Sequence, residues 1–132
     1  MDEKSLRSVP LFDSLSKGDR RTIAQHADEV DAPEGTALVR QGDFAYEFFV
    51  IEEGTAEVVR DGERLAELGP GDFLGEMGIV DHAVRNATVT TTSPARVIVI
   101  DEQSFRSMRT LNPSVADRIT AAVEERRSAL QA

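Results

Sequence analysis

Gly75, Glu76 and Arg85 are the residues whose types and spacing suit chemistry, and that chemistry is recognition of an anion. Residues 76–80 can form one helical turn, whose unpaired N–H groups attract negative charge. Gly75 allows close approach of the backbone. Arg85 is the only arginine or lysine in the stretch 65–95, and its guanidinium can pair with a phosphate. Glu76 would accept hydrogen bonds from hydroxyl groups, so the set suits a phosphate attached to a sugar.

The same residues also fit a second interpretation. Gly75 can serve only a tight turn, and Glu76 and Arg85 can form a surface ion pair of little energetic consequence. Glycine density argues for a special backbone here, because eight of the nine glycines fall between Gly35 and Gly78. The residues around this stretch are therefore needed to distinguish a purely structural turn from an anion-binding site.

The elements around these residues form three zones. Residues 3–28 are predicted to be helical, with a start at Ser16 and an apolar stripe from Ile23. Residues 29–101 contain short β-rich runs separated by turns, and Asp61-Gly62 is a good two-residue hairpin signal. Strand-like runs spaced by about 8–12 residues favour an antiparallel barrel or jelly roll.

Residues 102–132 are predicted to be helical again. Asp101 can cap a short helix, and Asn112-Pro113 is typical of the start of a second helix. That second helix carries one apolar face, made by Val115, Ile119, Ala122, Val123 and Leu130. No linker or internal repeat divides the chain, so one domain spans residues 1–132.

Composition excludes several classes of protein. The 132 residues include no cysteine, which excludes disulfides, thiolate zinc sites, iron–sulfur clusters and cysteine nucleophiles. The two histidines, His26 and His82, form no metal-binding motif, and no nucleophile–base–acid set is visible. We therefore expect neither an enzyme nor a metal cofactor. Without an apolar run of about 18 residues or a signal peptide, a soluble cytoplasmic protein is expected.

Charge is unevenly distributed along the chain. The formal net charge is −9, which repels nucleic acid and anionic membranes, so neither is an expected partner. Residues 1–101 hold 10 basic and 20 acidic residues, whereas residues 102–132 hold 5 and 4. The predicted C-terminal helices are therefore close to neutral in net charge, whereas the part of the chain before them is strongly acidic.

Five segments together resemble the cyclic-nucleotide-binding domain family, which includes regulatory subunits of cAMP-dependent protein kinase and catabolite-activator-type regulators. They occur in the family order with family-like gaps, and the resemblance extends over nearly the whole chain. They are Pro33-Glu34-Gly35, Val39-Arg40-Gln41-Gly42-Asp43, Phe48-Phe49-Val50-Ile51-Glu52-Glu53-Gly54, Leu68-Gly69-Pro70-Gly71-Asp72-Phe73-Leu74-Gly75-Glu76-Met77 and Arg85-Asn86-Ala87-Thr88-Val89. The order of five segments is far more specific than any one of them.

The resemblance implies a mainly β fold with flanking helices. Its core is an eight-stranded antiparallel jelly-roll barrel at 29–101, with a phosphate-binding cassette at 75–88. An N-terminal helical bundle at 1–28 and two C-terminal helices at 102–132 flank it. The implied function is a sensor of cAMP, or of cGMP, that relays binding through movement of the C-terminal helices to an unidentified protein partner or a second copy.

The resemblance also assigns roles to residues. Arg85 pairs with the cyclic phosphate, and Glu76 accepts from the ribose 2′-hydroxyl. The remaining cassette positions implied to contact ligand, several through backbone N–H groups, are Gly75, Met77, Gly78, Asn86, Ala87 and Thr88. The implied apolar wall around the base consists of Val58, Leu68 and Leu74. The implied lid residues on the last helix are Val115, Ile119 and Val123, which can equally serve as packing residues.

Departures from the family pattern keep other functions open. Ala45-Tyr46 stand where the family often has Gly-Asp, whose acid can pair with the cassette arginine, and Glu47 is the nearest substitute. Asn86 replaces a usual Ala, Ser or Thr. An empty domain that serves protein interaction is therefore one alternative, and the sensor fragment of a larger regulator is another. A complete DNA-binding regulator is not expected, since no helix-turn-helix follows the last helix.

Overall fold

Strands form the centre of the chain and helices lie at both ends. The structure, a computed structural model, describes residues 1–7, 9–13, 15–43, 47–74 and 85–130, without the side chains of residues 123 and 125–130. The helices are α1 (Glu3–Arg7), a 3₁₀ helix (Pro10–Phe12), α2 (Lys17–His26), α3 (Glu102–Leu111) and α4 (Pro113–Leu130). The strands are β1 (Asp28–Ala32), β2 (Ala37–Val39), β3 (Glu47–Glu53), β4 (Ala56–Arg60), β5 (Glu63–Leu68), β6 (Phe73–Leu74), β7 (Thr88–Thr91) and β8 (Ala95–Asp101).

Eight antiparallel strands pair in two sheets of four. The first sheet has the order β1-β8-β3-β6 and the second has the order β2-β7-β4-β5. This confirms the predicted mainly antiparallel β fold with flanking helices. The predicted closed barrel is not confirmed, because every strand pairing recorded among the described residues lies within one sheet or the other. The predicted N-terminal bundle is likewise not confirmed beyond the three short helices.

Local signals place the ends of these elements as predicted. The Ser16 hydroxyl accepts from the Asp19 N–H at 3.0 Å and caps α2. The Asp101 carboxylate accepts from the Ser104 N–H at 2.7 Å and caps α3. Asp61, at φ 54°, and Gly62, at φ 79°, form the predicted two-residue connection between β4 and β5. These elements therefore begin and end through contacts between near neighbours in sequence.

Two apolar clusters hold the sheets and helices together, and β3 contributes to both. Phe48 and Val50 belong to the helix-side core, whereas Phe49 and Ile51 belong to the inter-sheet core. This alternation follows from the two-residue period of a strand. The helix-side core comprises Leu6, Val9, Leu11, Phe12, Leu15, Ile23, Ala24, Ala27, Phe48, Val50, Phe73, Ile98, Ile100, Phe105, Met108, Val115 and Ile119. The inter-sheet core comprises Phe49, Ile51, Ala56, Val58, Leu68, Leu74, Ala87, Val89 and Val97.

An ion pair joins the last helix to the N-terminal helices. The Arg118 Nε and Nη2 atoms donate to the two carboxylate oxygens of Asp19 at 2.6 and 2.7 Å. Asp19 is buried, and the hydrogen bonds from Arg118 hold the pKa of its carboxyl below the ordinary value. A bidentate arginine–carboxylate pair of this kind restricts orientation as well as distance, so it sets how α4 lies against α2.

Glu52 on β3 links folding to pH. Burial, followed by the neighbouring Glu29 carboxyl, raises the pKa of Glu52 to about 7, while Arg96 opposes the shift and Glu53 adds to it. Because its folded-state pKa lies above the ordinary value of 4.5, Glu52 binds a proton on folding. Its contribution to the free energy of unfolding is complete below that ordinary value and is lost as pH rises through about 7.

We predict that Glu52→Gln removes this loss, since an amide stays neutral at every pH in the range. Urea unfolding at about pH 5 and pH 8 measures it. The wild type should lose more stability between the two conditions than E52Q. Glu63→Gln, at an exposed position on β5, controls for the change in net charge. Equal pH dependence of the wild type and E52Q would contradict the prediction.

Candidate ligand-binding site

Arg85 lies at the start of the segment that leads into β7, and its backbone is held by the turn after β2. The Arg85 N–H donates to the Asp43 carbonyl at 2.8 Å. The Arg85 carbonyl accepts from the Gly42 N–H at 3.0 Å. Gly42 has a φ of 91°, a conformation that L side chains rarely adopt. The turn therefore needs a glycine to present its main chain to Arg85.

Arg85 is buried, with a relative exposure of 8% for the whole residue. Its Nη2 atom donates to the main-chain carbonyl of Glu47, the first residue of β3. The sequence pointed to Glu47 as the nearest substitute for the family's acid, and the structure does bring Glu47 to Arg85. That hydrogen bond goes to the main-chain carbonyl of Glu47, which can orient the guanidinium.

A cavity of about 680 Å³ opens beside Arg85. That volume falls within the range of roughly 300–1,000 Å³ typical of small-molecule sites. Its lining, as far as the structure describes it, consists of Thr36, Ala37, Leu38, Val39, Arg40, Gly42, Asp43, Glu47, Phe49 and Arg85. Two arginines and two acidic residues are among them, so a ligand would meet both charges and apolar surface.

The three residues predicted to surround a base are brought together. Val58, Leu68 and Leu74 are all buried in the inter-sheet core, and Ala87 belongs to the same cluster. Leu74 pairs with Phe49, which also lines the cavity beside Arg85. The apolar wall and the arginine are thus connected through Phe49. Contact of this wall with a base stays a prediction.

Only some of the other predicted cassette residues lie within the described part of the chain. Asn86 is exposed and Thr88 is half-buried. The Thr88 hydroxyl accepts from the Gln41 N–H at 2.9 Å, so here it supports the turn after β2. Gly75, Glu76, Met77 and Gly78 lie outside the described residues, as do Ala45, Tyr46 and His82.

The predicted lid residues lie on the helix side in this structure. Val115 and Ile119 are buried in the helix-side core, away from the cluster that contains Val58 and Leu68. The side chain of Val123 is outside the description. Packing is therefore the role that the structure gives to Val115 and Ile119, and a capping role in another state stays a prediction.

Gln41 is a residue whose contribution the sequence did not indicate. Its side chain forms two hydrogen bonds with Asp61 in the β4–β5 turn, at 2.8 and 3.0 Å. The segment Gln41-Gly42-Asp43 was visible only as a turn and as part of the family pattern. Its partners, Asp61 and Thr88, are 20 and 47 residues away, so no local signal could have revealed them.

Two classes of feature are missing from the described part of the chain. No helix in it has the length and apolar character needed to cross a bilayer. Within the same residues, no group of three or more His, Cys, Asp or Glu is arranged to hold a metal ion.

Comparisons with known proteins agree with the fold and with the family resemblance. The chain is 36% identical over 107 residues to a cAMP-dependent protein kinase regulatory subunit of Schizosaccharomyces pombe, covering 80% of this chain and 26% of that protein. It therefore spans about a quarter of that relative's length.

Solved structures give the same architecture. A cyclic nucleotide-binding domain from Methylobacillus flagellatus superposes with a TM-score of 0.84 at 20% identity, covering 96% of this chain and 74% of that one. The regulatory domain of the Toxoplasma gondii kinase, co-crystallised with cAMP, gives a TM-score of 0.75 at 23% identity, covering 93% and 48%. At these identities the likeness concerns the fold. The cyclic nucleotide-binding domain family itself matches residues 29–112, and the chain belongs to this family.

Proposed function

We propose that the chain binds cAMP in the cavity beside Arg85 and acts as a sensor without catalysis. The observation that carries this proposal is a buried arginine, held by main-chain contacts, at the edge of an apolar cluster. Arg85 lines the cavity of about 680 Å³, and a guanidinium in such a position can bind a cyclic phosphate through charge-assisted hydrogen bonds. The adjoining wall of Val58, Leu68 and Leu74 suits the flat apolar face of a base.

We propose cAMP rather than cGMP as the ligand because the names of two similar proteins include cAMP. The Schizosaccharomyces pombe protein is the regulatory subunit of a cAMP-dependent kinase, and the Toxoplasma gondii domain was crystallised with cAMP. Within the proposed site, Arg85 binds the phosphate and Glu76 accepts from the ribose 2′-hydroxyl. Backbone N–H groups of Met77, Gly78 and Ala87 complete the anion site.

The proposed output is a movement of α3 and α4. A ligand shifts a conformational equilibrium only by its different affinities for the two states. Here α4 is attached to the rest of the chain through the Asp19–Arg118 ion pair and the helix-side core. Movement would rearrange those contacts and present Arg109 and the apolar face of α4 to a protein partner or a second copy.

Titration calorimetry with cAMP tests ligand binding. The ligand has about 22 non-hydrogen atoms, and roughly 0.3 kcal/mol for each atom gives a Kd on the order of 10 μM. cGMP should bind more weakly than cAMP. Absence of heat and of any thermal shift at about 1 mM cAMP would reject the proposal and favour an interaction module with an empty pocket.

Arg85→Ala should weaken cAMP binding by about 2–4 kcal/mol, because the phosphate loses its buried cationic partner. Arg21→Ala makes the same change in net charge at an exposed position on α2 and should leave affinity nearly unchanged. Circular dichroism checks that both variants are folded. A folded R85A protein that binds as tightly as the wild type would show that the phosphate is held elsewhere.

Hydrogen exchange tests the proposed movement. Amides in residues 115–123 should change protection when cAMP is added, together with those in residues 75–87. Asp19→Asn should raise exchange in α4 without ligand, because one strong acceptor for Arg118 is weakened. Glu102→Gln, which alters an exposed pair with Arg106 within α3, is the matched control. If only residues 75–87 respond to cAMP, α4 is a static packing element.

A further inference from the structure

We propose that Gln41 is a positioning residue for Arg85, and that its side-chain amide sets ligand affinity from outside the cavity. This inference rests on the proposed function, because it concerns the arginine assigned to the phosphate. It names a residue that does not line the cavity among the described residues. Gln41 acts through the turn after β2, and it joins that turn to the β4–β5 hairpin.

The side chain of Gln41 is bonded to Asp61 in both directions. Its Nε2 donates to the Asp61 Oδ1 at 2.8 Å, and its Oε1 accepts from the Asp61 N–H at 3.0 Å. Asp61 is the described non-glycine residue with a positive φ, at 54°. In the turn, the Asp61 N–H cannot form the usual hydrogen bond between paired strands, so it donates to the Gln41 Oε1 instead. The same hairpin carries Val58 and Leu68 of the apolar wall.

The main chain of the turn then reaches Arg85. The Gln41 N–H donates to the Thr88 hydroxyl, and the next two residues, Gly42 and Asp43, exchange hydrogen bonds with the main chain of Arg85. The side chain and the backbone of Gln41 thus bridge two segments that flank the candidate site. If the amide contact is lost, the turn keeps its hold on Arg85 but loses its own anchor to the hairpin.

Because the Gln41 amide donates to the Asp61 carboxylate, substitutions that swap the donor and the acceptor between these two residues can test the proposal. Gln41→Glu keeps the shape, removes the Nε2 donor and places a carboxylate against that of Asp61. Asp61→Asn alone keeps an oxygen that accepts from Gln41. In the double variant, the asparagine Nδ2 can donate to the introduced carboxylate, so the pair is restored with its polarity reversed.

The test is a titration of cAMP into the wild type, Q41E, D61N and the double variant Q41E/D61N. Loss of the Nε2 hydrogen bond and a new repulsion between the two carboxylates should weaken Q41E roughly fivefold or more. D61N should stay within about twofold of the wild type, and the double variant within about threefold. Gln103→Glu, at an exposed position on α3, makes the same charge change and should have no effect.

A second readout separates positioning of Arg85 from general stability. The Arg85 side-chain Nε–Hε resonance should shift or broaden in unliganded Q41E and return in the double variant. A Q41E protein with lower thermal stability but an unchanged resonance and unchanged affinity would overturn the inference. If Q41E does not fold, Asp61→Gly removes the same side-chain contact and tolerates the positive φ.

The two proposals fail in different ways. No cAMP binding by the wild type rejects the proposed ligand, while the Arg85 resonance still decides the role of Gln41. Binding by the wild type with equal affinity in all four proteins rejects the role of Gln41 alone. Failure of the double variant to recover either affinity or the resonance would show that Gln41 does not act through Asp61.

Discussion

The position of one buried guanidinium is the constraint on which the rest of this structure depends. Arg85 is buried beside a cavity whose described lining holds both charged and apolar residues, in a chain whose formal net charge is −9. The fold holds it through main-chain groups of Gly42, Asp43 and Glu47. These hydrogen bonds fix the position of the Arg85 backbone and of its guanidinium, to which the proposed function assigns the cyclic phosphate.

The first sheet places this arginine and the C-terminal helices on opposite sides of one strand. Glu47, which contacts Arg85, is the first residue of β3. Further along β3, Phe48 packs toward the helices and Phe49 packs between the sheets. A shift of β3 would therefore change the packing of both the helix-side core and the inter-sheet core. This shared wall is a physical basis for the proposed relay, since α4 rests on the helix-side core through Val115 and Ile119.

Features that depend on neighbours in sequence were predictable. The caps at Ser16 and Asp101 and the turn at Asp61-Gly62 each need only a few adjacent residues, and the structure confirms all three. The family pattern then favoured a jelly roll, which spacing alone left open against a barrel, but it did not give the order of the strands in the two sheets. Contacts that join distant segments were not predictable: Gln41 with Asp61, Glu52 with Glu29, and Arg118 with Asp19. A sequence also does not show which main-chain groups a side chain will contact, so the hydrogen bond from Arg85 to the Glu47 carbonyl was not predictable.

A crystal structure of the chain with cAMP tests the central claim most directly, because it locates the phosphate relative to Arg85. We predict guanidinium nitrogens within about 3 Å of the exocyclic phosphate oxygens, a distance typical of charge-assisted hydrogen bonds. The base should lie against Val58, Leu68 and Leu74. A phosphate bound away from Arg85, with its guanidinium still donating to the Glu47 carbonyl, would contradict the account.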